Sequence, residues 1–168
     1  MRKAIVSALG LVFLHAVSAA QPSSLPSDAV IKFTSMVGVS GPLRGTSNPI
    51  RGVIGGGLPW RVADARGLLN AGGHLRIHVT GLVLADDPSV PENLRLVNPL
   101  PSFRATVSCL TIDGMGNPAE ANVSTDNFLA SSSGDSKIDA ALTLPTPCFA
   151  PIIFVTAPAG MWLAVTGR

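Results

Sequence analysis

The sequence contains no tyrosine and few other aromatic residues. Phenylalanine and tryptophan together make up 5% of its 168 residues, and the only tryptophans are Trp60 and Trp162. Sites that stack nucleic-acid bases or neutral sugars use exposed aromatic rings as platforms. This chain therefore offers little for a site of that kind.

Charge is also scarce. Charged residues make up 13% of the chain and the formal net charge is +2, whereas a globular protein usually carries about a quarter charged residues. Such a balance excludes a strongly basic nucleic-acid binder and an acidic solvating tail, so we expect no nucleic-acid partner. Glycine (17) and proline (14) are frequent, but not frequent enough for a disordered tract. The length suits one domain with a real core.

No hydrophobic run is long enough to cross a bilayer, which needs about 20 residues. The longest is Ala4 to Val17, which follows the basic start Met1-Arg2-Lys3 and precedes the small residues Ser18 to Ala20. This pattern is typical of a cleaved signal peptide over residues 1–20, and the alternative is a buried N-terminal helix. The Pro/Ser-rich residues 21–28 would then form a flexible segment. We expect a secreted, extracellular protein, or a periplasmic one in a Gram-negative source, with no membrane span.

Removal of the signal peptide makes the chain neutral, because Arg2 and Lys3 carry the whole positive excess. The remaining charges are unevenly distributed along the sequence. Residues 21–85 contain six basic and two acidic residues, and residues 86–168 contain four basic and eight acidic ones. We expect the two halves to interleave in space and their charges to pair. The alternative is a molecule with a basic face.

The chain has only two cysteines, Cys109 and Cys148. An even count in an exported protein predicts a disulfide, and two cysteines allow one intramolecular pairing. A catalytic thiol would need a nearby base to lower its pKa. The sequence neighbours of both cysteines lack such a group, so a structural bridge is the preferred interpretation.

Helix signals are almost absent after the signal peptide, since no window of 12 residues keeps a 3.6-residue apolar period. Period-2 alternation of apolar and polar residues predicts several half-buried strands, the first with Ile31, Phe33 and Val37 on one face. Two further runs are apolar on both faces and indicate a central hairpin turning at Ala157 to Gly160. The alternating segments are 31–37, 74–85, 103–112 and 137–144, and the two runs of the hairpin are 152–156 and 161–166. They predict an all-β fold over residues 29–168, a single antiparallel β-sandwich or small barrel with one disulfide.

His74 and His78 have a spacing that would place two zinc ligands one turn apart on a helix. On a strand, the same spacing separates them by about 13 Å, too far for one metal ion. We therefore expect no metal site. Both histidines instead belong to the polar face of a strand, where they and Arg76 could contact a ligand, as could Trp60.

The glycine-rich run Gly52 to Gly57 resembles a phosphate-binding loop only superficially. A P-loop continues with Lys-Ser/Thr and a helix, whereas Leu58-Pro59-Trp60 follows here. The run predicts a flexible connection lying against the Trp60 indole. We expect no cofactor.

Six aspartates could serve a glycosidase or a calcium site: Asp86, Asp87, Asp113, Asp126, Asp135 and Asp139. None has calcium-loop spacing, and the sequences around Asp87 and Asp135 are typical of turns. No G-x-S-x-G nucleophile elbow is present either, so no catalytic residue is assigned. Asn122 begins an N-glycosylation sequon, which matters only in a eukaryotic source.

Four segments carry a family resemblance: 56–60, 81–84, 103–109 and 147–151. In them the chain resembles a group of small secreted microbial β-proteins, and the similarity covers about Gly52 to Gly167. The resemblance implies a paired cysteine framework and supplies no activity, cofactor or catalytic residue.

Three functional hypotheses remain open. The first is a secreted, non-catalytic β-sandwich domain that binds a cell-surface or extracellular polymer or protein, or that acts as a structural surface component. The second is a small secreted hydrolase that uses two carboxylates brought together by the fold, as glycosidases do. The third is a carrier that holds a small apolar ligand in an enclosed cavity between the sheets.

Overall fold

A computed structural model describes residues 29–166 of the chain. The predicted signal peptide (1–20) and the N-terminal segment (21–28) lie outside this range. No α-helix occurs within it, and no helix there is long and apolar enough to cross a membrane. The described chain forms the strands β1 Ala29–Phe33, β2 Met36–Gly38, β3 Trp60–Arg61, β4 Asp64–Asn70, β5 His74–Thr80, β6 Val83–Leu84, β7 Ser102–Ile112, β8 Pro118–Ser124, β9 Phe128–Leu129, β10 Ser136–Ala141, β11 Phe149–Thr156 and β12 Trp162–Thr166.

The strands form two main antiparallel sheets, as the sequence predicted. Sheet 1 has the order β1-β4-β5-β10, and sheet 2 has the order β2-β12-β11-β7-β8, with β9 pairing to the beginning of β7. The short strands β3 and β6 make a separate ribbon. The predicted central hairpin is confirmed, because β11 and β12 are neighbours inside sheet 2.

The two sheets are connected at two corners. The chain passes from β1 in sheet 1 to β2 in sheet 2 through Thr34 and Ser35. At the other corner, a bridge between Ala130 and Ser136 joins the β9 segment to β10. The result is a sandwich whose sheets continue into each other, a form between the two predicted architectures.

One hydrophobic core lies between the sheets. Phe103, Phe154 and Trp162 are among its largest fully buried side chains. Sheet 1 contributes the inward residues Leu75, Ile77, Val79 and Ile138, which confirms the alternation predicted for β5. In β7, Phe103, Ala105, Val107 and Cys109 are buried as predicted, but Thr106 and Ser108 on the opposite face are buried too.

The predicted strand over residues 31–37 is wrong in one respect. We expected Ile31, Phe33 and Val37 to share a buried face, but Val37 is 57% exposed and Met36 is buried. The bend at Thr34-Ser35 causes the difference, because the chain changes sheet there and the inward face shifts by one residue.

The long connection between β2 and β3 covers part of the outer side of sheet 2. Arg51 Nη1 donates hydrogen bonds to the carbonyls of Ser108 and Ala150, and Asn122 Nδ2 donates to the Arg51 carbonyl. The run Gly52 to Gly57 is part of this connection. It is hydrogen-bonded rather than loose, since Trp162 N donates to the Ile54 carbonyl and Gly56 N donates to the Trp162 carbonyl. The outer face of sheet 2 is therefore partly occupied by the protein's own chain.

The predicted disulfide is confirmed. Cys109 on β7 is bonded to Cys148, which directly precedes β11, with their Cα atoms 5.0 Å apart. β7 and β11 are paired at this point, because Leu110 and Phe149 are opposite each other. The disulfide thus fixes the position at which the chain, coming from β10 in sheet 1, begins β11 in sheet 2.

Candidate cationic sheet face

The outer face of sheet 1 carries most of the basic side chains of that sheet. Alternation directs Leu75, Ile77 and Val79 of β5 into the core, so His74, Arg76 and His78 point outward. The neighbouring strands present outward basic residues in the same way. We call Lys32, Arg66, Arg76, His78 and Lys137 the cationic face.

Strand register arranges these side chains in two rows. In one row, Arg66 on β4 is opposite His78 on β5, which is opposite Lys137 on β10. In the adjacent row, Lys32 on β1 is opposite Leu68, then Arg76, then Asp139. The cationic face therefore extends across all the strands of the sheet.

The face surrounds an open surface depression of about 500 Å³. Residues from β1, β4, β5 and β10 line it, among them the half-buried Leu68. The depression is open to solvent, and its lining combines apolar residues with the charged side chains of Lys32, Arg66, Arg76, Lys137 and Asp139. It therefore suits an extended ligand lying on the sheet better than a small apolar molecule enclosed by the protein.

The fixed cations of this face are its lysine and arginine side chains, which stay charged at neutral pH. Most of them have no partner. Lys32, Arg76 and Lys137 make no ion pair or side-chain hydrogen bond with any residue in the range 29–166. Arg66 is the exception, since its guanidinium lies 3.7 Å from the Asp64 carboxylate and 3.2 Å from His78 Nδ1. The positive charges of Lys32, Arg76 and Lys137 are therefore available to an external group.

Four arginines outside the cationic face are used differently. Their guanidinium groups donate to main-chain carbonyls: Arg44 to Gly41, Arg51 to Ser108 and Ala150, Arg95 to Val90, and Arg104 to Thr125 and Pro158. Such bonds hold loops in place. The basic residues of the cationic face make no bond of this type, which separates them from the structural arginines.

The two histidines of β5 have different neighbours. His74 Nε2 lies 2.6 Å from a carboxylate oxygen of Asp139 on β10, a partner that the sequence did not reveal. His78 Nδ1 faces the Arg66 guanidinium, which can only donate, so Nδ1 accepts and Nε2 carries the hydrogen. His78 therefore presents an N–H donor next to the cations.

Trp60 does not belong to this surface. It is only 7% exposed and packs edge-to-face on Phe103, with ring centroids 6.4 Å apart. The proposed ligand contact at Trp60 is therefore corrected: its ring is part of the core. Asn122 is exposed on β8 and its amide donates to the Arg51 carbonyl, and its glycosylation stays a prediction.

Three of the candidate carboxylates hold turns, which the sequence predicted for Asp87 and Asp135 but not for Asp113. Hydrogen bonds from the Ser89 side chain and backbone lower the pKa of Asp87. Backbone N–H groups of Asn117 and Met115 lower the pKa of Asp113. The Gly81 N–H and the Ser133 hydroxyl lower the pKa of Asp135. A general acid of a glycosidase needs the opposite shift, a raised pKa.

The remaining candidates are also placed individually. Asp86 lies 4.0 Å from Arg95, Asp139 pairs with His74, and Asp126 has an exposed side chain. Within residues 29–166, no three His, Cys, Asp or Glu side chains converge in a way that could hold a metal ion. The carboxylates are thus distributed over separate turns and strands.

Comparisons with known proteins gave no match: no protein-family model, no curated protein and no solved structure matches this chain. The family resemblance expected from the sequence stays a prediction. The site is accordingly described by its geometry alone.

Sequence patterns identified only part of the cationic face. The alternation of β5 placed His74, Arg76 and His78 together, but Lys32, Arg66 and Lys137 are distant in sequence. The only available signal was the basic excess of residues 21–85, which contain Lys32, Arg66 and Arg76. Only the pairing register of the four strands shows that these residues lie on one face.

Proposed function

We propose that this protein is an exported, non-catalytic binding domain that recognises an anionic extracellular partner through its cationic face. The observation that carries the proposal is the set of unpaired cations, Lys32, Arg76 and Lys137, on one exposed sheet surface. A neutral or acidic protein that displays such a surface attracts anions to it and orients them there.

Export is part of the proposal. The disulfide between Cys109 and Cys148 supports an oxidising compartment, since such bonds persist mainly outside the cytosol. The N-terminal pattern of Met1 to Ala20 is typical of a signal peptide. Partners in that setting include the anionic polymers and proteins of cell surfaces.

The test compares two charge reversals of equal size. Arg76→Glu changes the cationic face, whereas Arg61→Glu changes an exposed arginine on β3 that does not line the depression. Binding to dextran sulfate and to polygalacturonate is measured by biolayer interferometry at low and high salt. Exposed ion pairs each contribute up to about 1 kcal/mol, and a charge reversal also replaces the attraction by a repulsion of similar size, so Arg76→Glu should weaken binding about tenfold.

Arg61→Glu should leave affinity within about twofold, and added salt should weaken wild-type binding because exposed charges are screened. If the protein binds neither polymer, nor vesicles that contain phosphatidylserine, the proposal is wrong. Equal losses in both variants would show that net charge, and not the cationic face, governs binding.

A further inference from the structure

We infer that the ligand of the cationic face is an extended acidic polysaccharide with one carboxylate on each sugar, lying across the strands of sheet 1. This inference rests on the proposed function and specifies its ligand. It is carried by the position of the fixed cations within the strand register.

Each strand of sheet 1 provides one fixed cation to its outer face. These are Lys32 on β1, Arg66 on β4, Arg76 on β5 and Lys137 on β10. In the sheet order β1-β4-β5-β10, they alternate between the two rows described above. The cations therefore form a zigzag line that runs perpendicular to the strands.

The dimensions of this line follow from sheet geometry. Adjacent strands are about 4.8 Å apart, and the two rows are about 6.7 Å apart because they are two residues apart along each strand. Successive cations thus advance by one strand spacing across the sheet while alternating from side to side. A ligand that matches them must carry one negative charge per strand spacing, on alternating sides.

An extended polyuronate has these properties. A pyranose ring in an extended chain is close in length to one strand spacing, and in a two-fold chain successive carboxylates project to opposite sides. Each carboxylate can then meet one Lys or Arg. The positions between the cations are filled by Leu68 and His78, which offer an apolar surface to ring C–H groups and an N–H donor to hydroxyls.

Acidic side chains limit where such a chain can lie. Asp139 occupies the β10 position in the row of Lys32 and Arg76, and Asp64 lies beyond Arg66 on β4. Both carboxylates repel a polyanion, so they restrict it to the zigzag between them. Arg66 already faces Asp64 at 3.7 Å, and it must share its guanidinium with the ligand.

Other anionic partners fit these observations less well. Single-stranded nucleic acids are held largely by stacking on aromatic rings, and no aromatic side chain is exposed on the cationic face. A single small acid would meet only one or two exposed cations, each of which contributes little. A polymer engages several weak contacts in series, which raises the total affinity.

The experiment uses galacturonate oligomers of about one to six sugars, with isothermal titration calorimetry on the purified protein. Affinity should rise with length and stop rising at about four sugars, because sheet 1 has four strands. Methyl-esterified polygalacturonate is the matched ligand control, since it keeps the sugar chain and removes its charge. Binding that is independent of length, or equal binding of the esterified polymer, would contradict the inference.

Two variants test the register. Lys137→Gln and Lys32→Gln each remove one end of the zigzag, so each should weaken binding of the longest oligomers about two- to fivefold. Each should also shorten the length at which affinity stops rising by about one sugar. Arg61→Gln should change neither quantity. Far-ultraviolet circular dichroism checks that each variant keeps the fold.

Further ligands separate a failure of this inference from a failure of the proposed function. If dextran sulfate or vesicles of phosphatidylserine and phosphatidylcholine bind while polygalacturonate does not, the polyuronate inference is wrong and the anion-binding function stands. If no anionic polymer or vesicle binds, both are wrong.

Discussion

The Asp135 carboxylate connects the end of β5 with the turn before β10 through hydrogen bonds. One carboxylate oxygen accepts from the Gly81 N–H at 3.0 Å, directly after β5, and the other accepts from the Ser133 hydroxyl at 2.9 Å. These bonds favour the ionised form and lower the pKa of Asp135. Because the turn before β10 positions Lys137, the charge state of Asp135 affects the stability of one end of the cationic face.

The sign of the pH effect follows from the lowered pKa. The pKa of an aspartate in an unfolded chain is about 3.9. Asp135 therefore stabilises the fold above that pH, and this contribution is lost as the pH falls through its lower pKa in the folded state. Asp135→Asn keeps an oxygen for the Gly81 N–H and removes the charge. The variant should lose less stability than wild type between about pH 6 and about pH 3 in urea unfolding experiments.

Glu120→Gln is the control for this comparison. The Glu120 carboxylate is exposed on β8 and accepts no hydrogen bond within residues 29–166. It should keep the wild-type dependence of unfolding free energy on pH. An Asp135→Asn variant that matched wild type at both pH values would show that its hydrogen bonds do not stabilise the fold through charge.

Among the elements, β4 depends on a glycine at its centre. Gly67 lies on the core side of the strand between Arg66 and Leu68, opposite Phe33 on β1. A Cβ atom there would lie 2.4 Å from the Phe33 ring and 2.6 Å from the Arg76 carbonyl oxygen. Gly67→Ala should therefore displace β1 and destabilise the protein by about 1–3 kcal/mol, as overpacked cores are.

Thermal unfolding of Gly67→Ala against Gly57→Ala provides the measurement. Gly57 is the matched control because its Cβ would meet no atom within 4 Å. The Gly67 variant should unfold several degrees lower, since about 1 kcal/mol shifts the melting temperature by a few degrees in a domain of this size. Equal melting temperatures would contradict the packing described for Phe33 and Gly67.

The elements that sequence patterns predicted are those with apolar residues on one or both faces. β5 and β7 have apolar residues at alternate positions, and the faces that they turn to the core were identified correctly, while residues 152–156 of β11 were recognised because they are apolar on both faces. β4 was missed because its core face is formed by Ala65, Gly67 and Leu69, while Leu68 points outward. β8 was missed because an edge strand buries little, and its inward residues are partly exposed.

At the scale of the whole molecule, the two halves of the sequence interleave, but their charges largely do not pair. Sheet 1 combines β1, β4 and β5 from the first half with β10 from the second. Yet the Arg66–Asp64 and Arg95–Asp86 pairs each lie within one half, and among residues 29–166 only His74–Asp139 joins the halves. The predicted pairing is thus wrong for most of these charges. The basic excess was visible in the sequence, whereas its concentration on one surface depends on long-range strand pairing.

The disulfide also acts at this scale, because the ring from Cys109 to Cys148 encloses β8 of sheet 2 and β10 of sheet 1. Closing a ring of about 40 residues restricts the unfolded chain and stabilises the fold by up to roughly 4 kcal/mol. A Cys109→Ala, Cys148→Ala variant should therefore unfold at clearly lower urea concentration than the oxidised protein.

Reduced wild type is the control, because it keeps both sulfur atoms in place and lacks only the bond. If the restriction of the unfolded chain is the cause, reduced wild type and the double variant should both fall well below the oxidised protein and lie close together. A reduced protein as stable as the oxidised one would contradict this explanation. The pairing of β7 with β11 alone would then be enough to fix the position at which β11 begins. A loss seen only in the double variant would assign the effect to the buried Cys109 side chain, whose replacement leaves a cavity in the core.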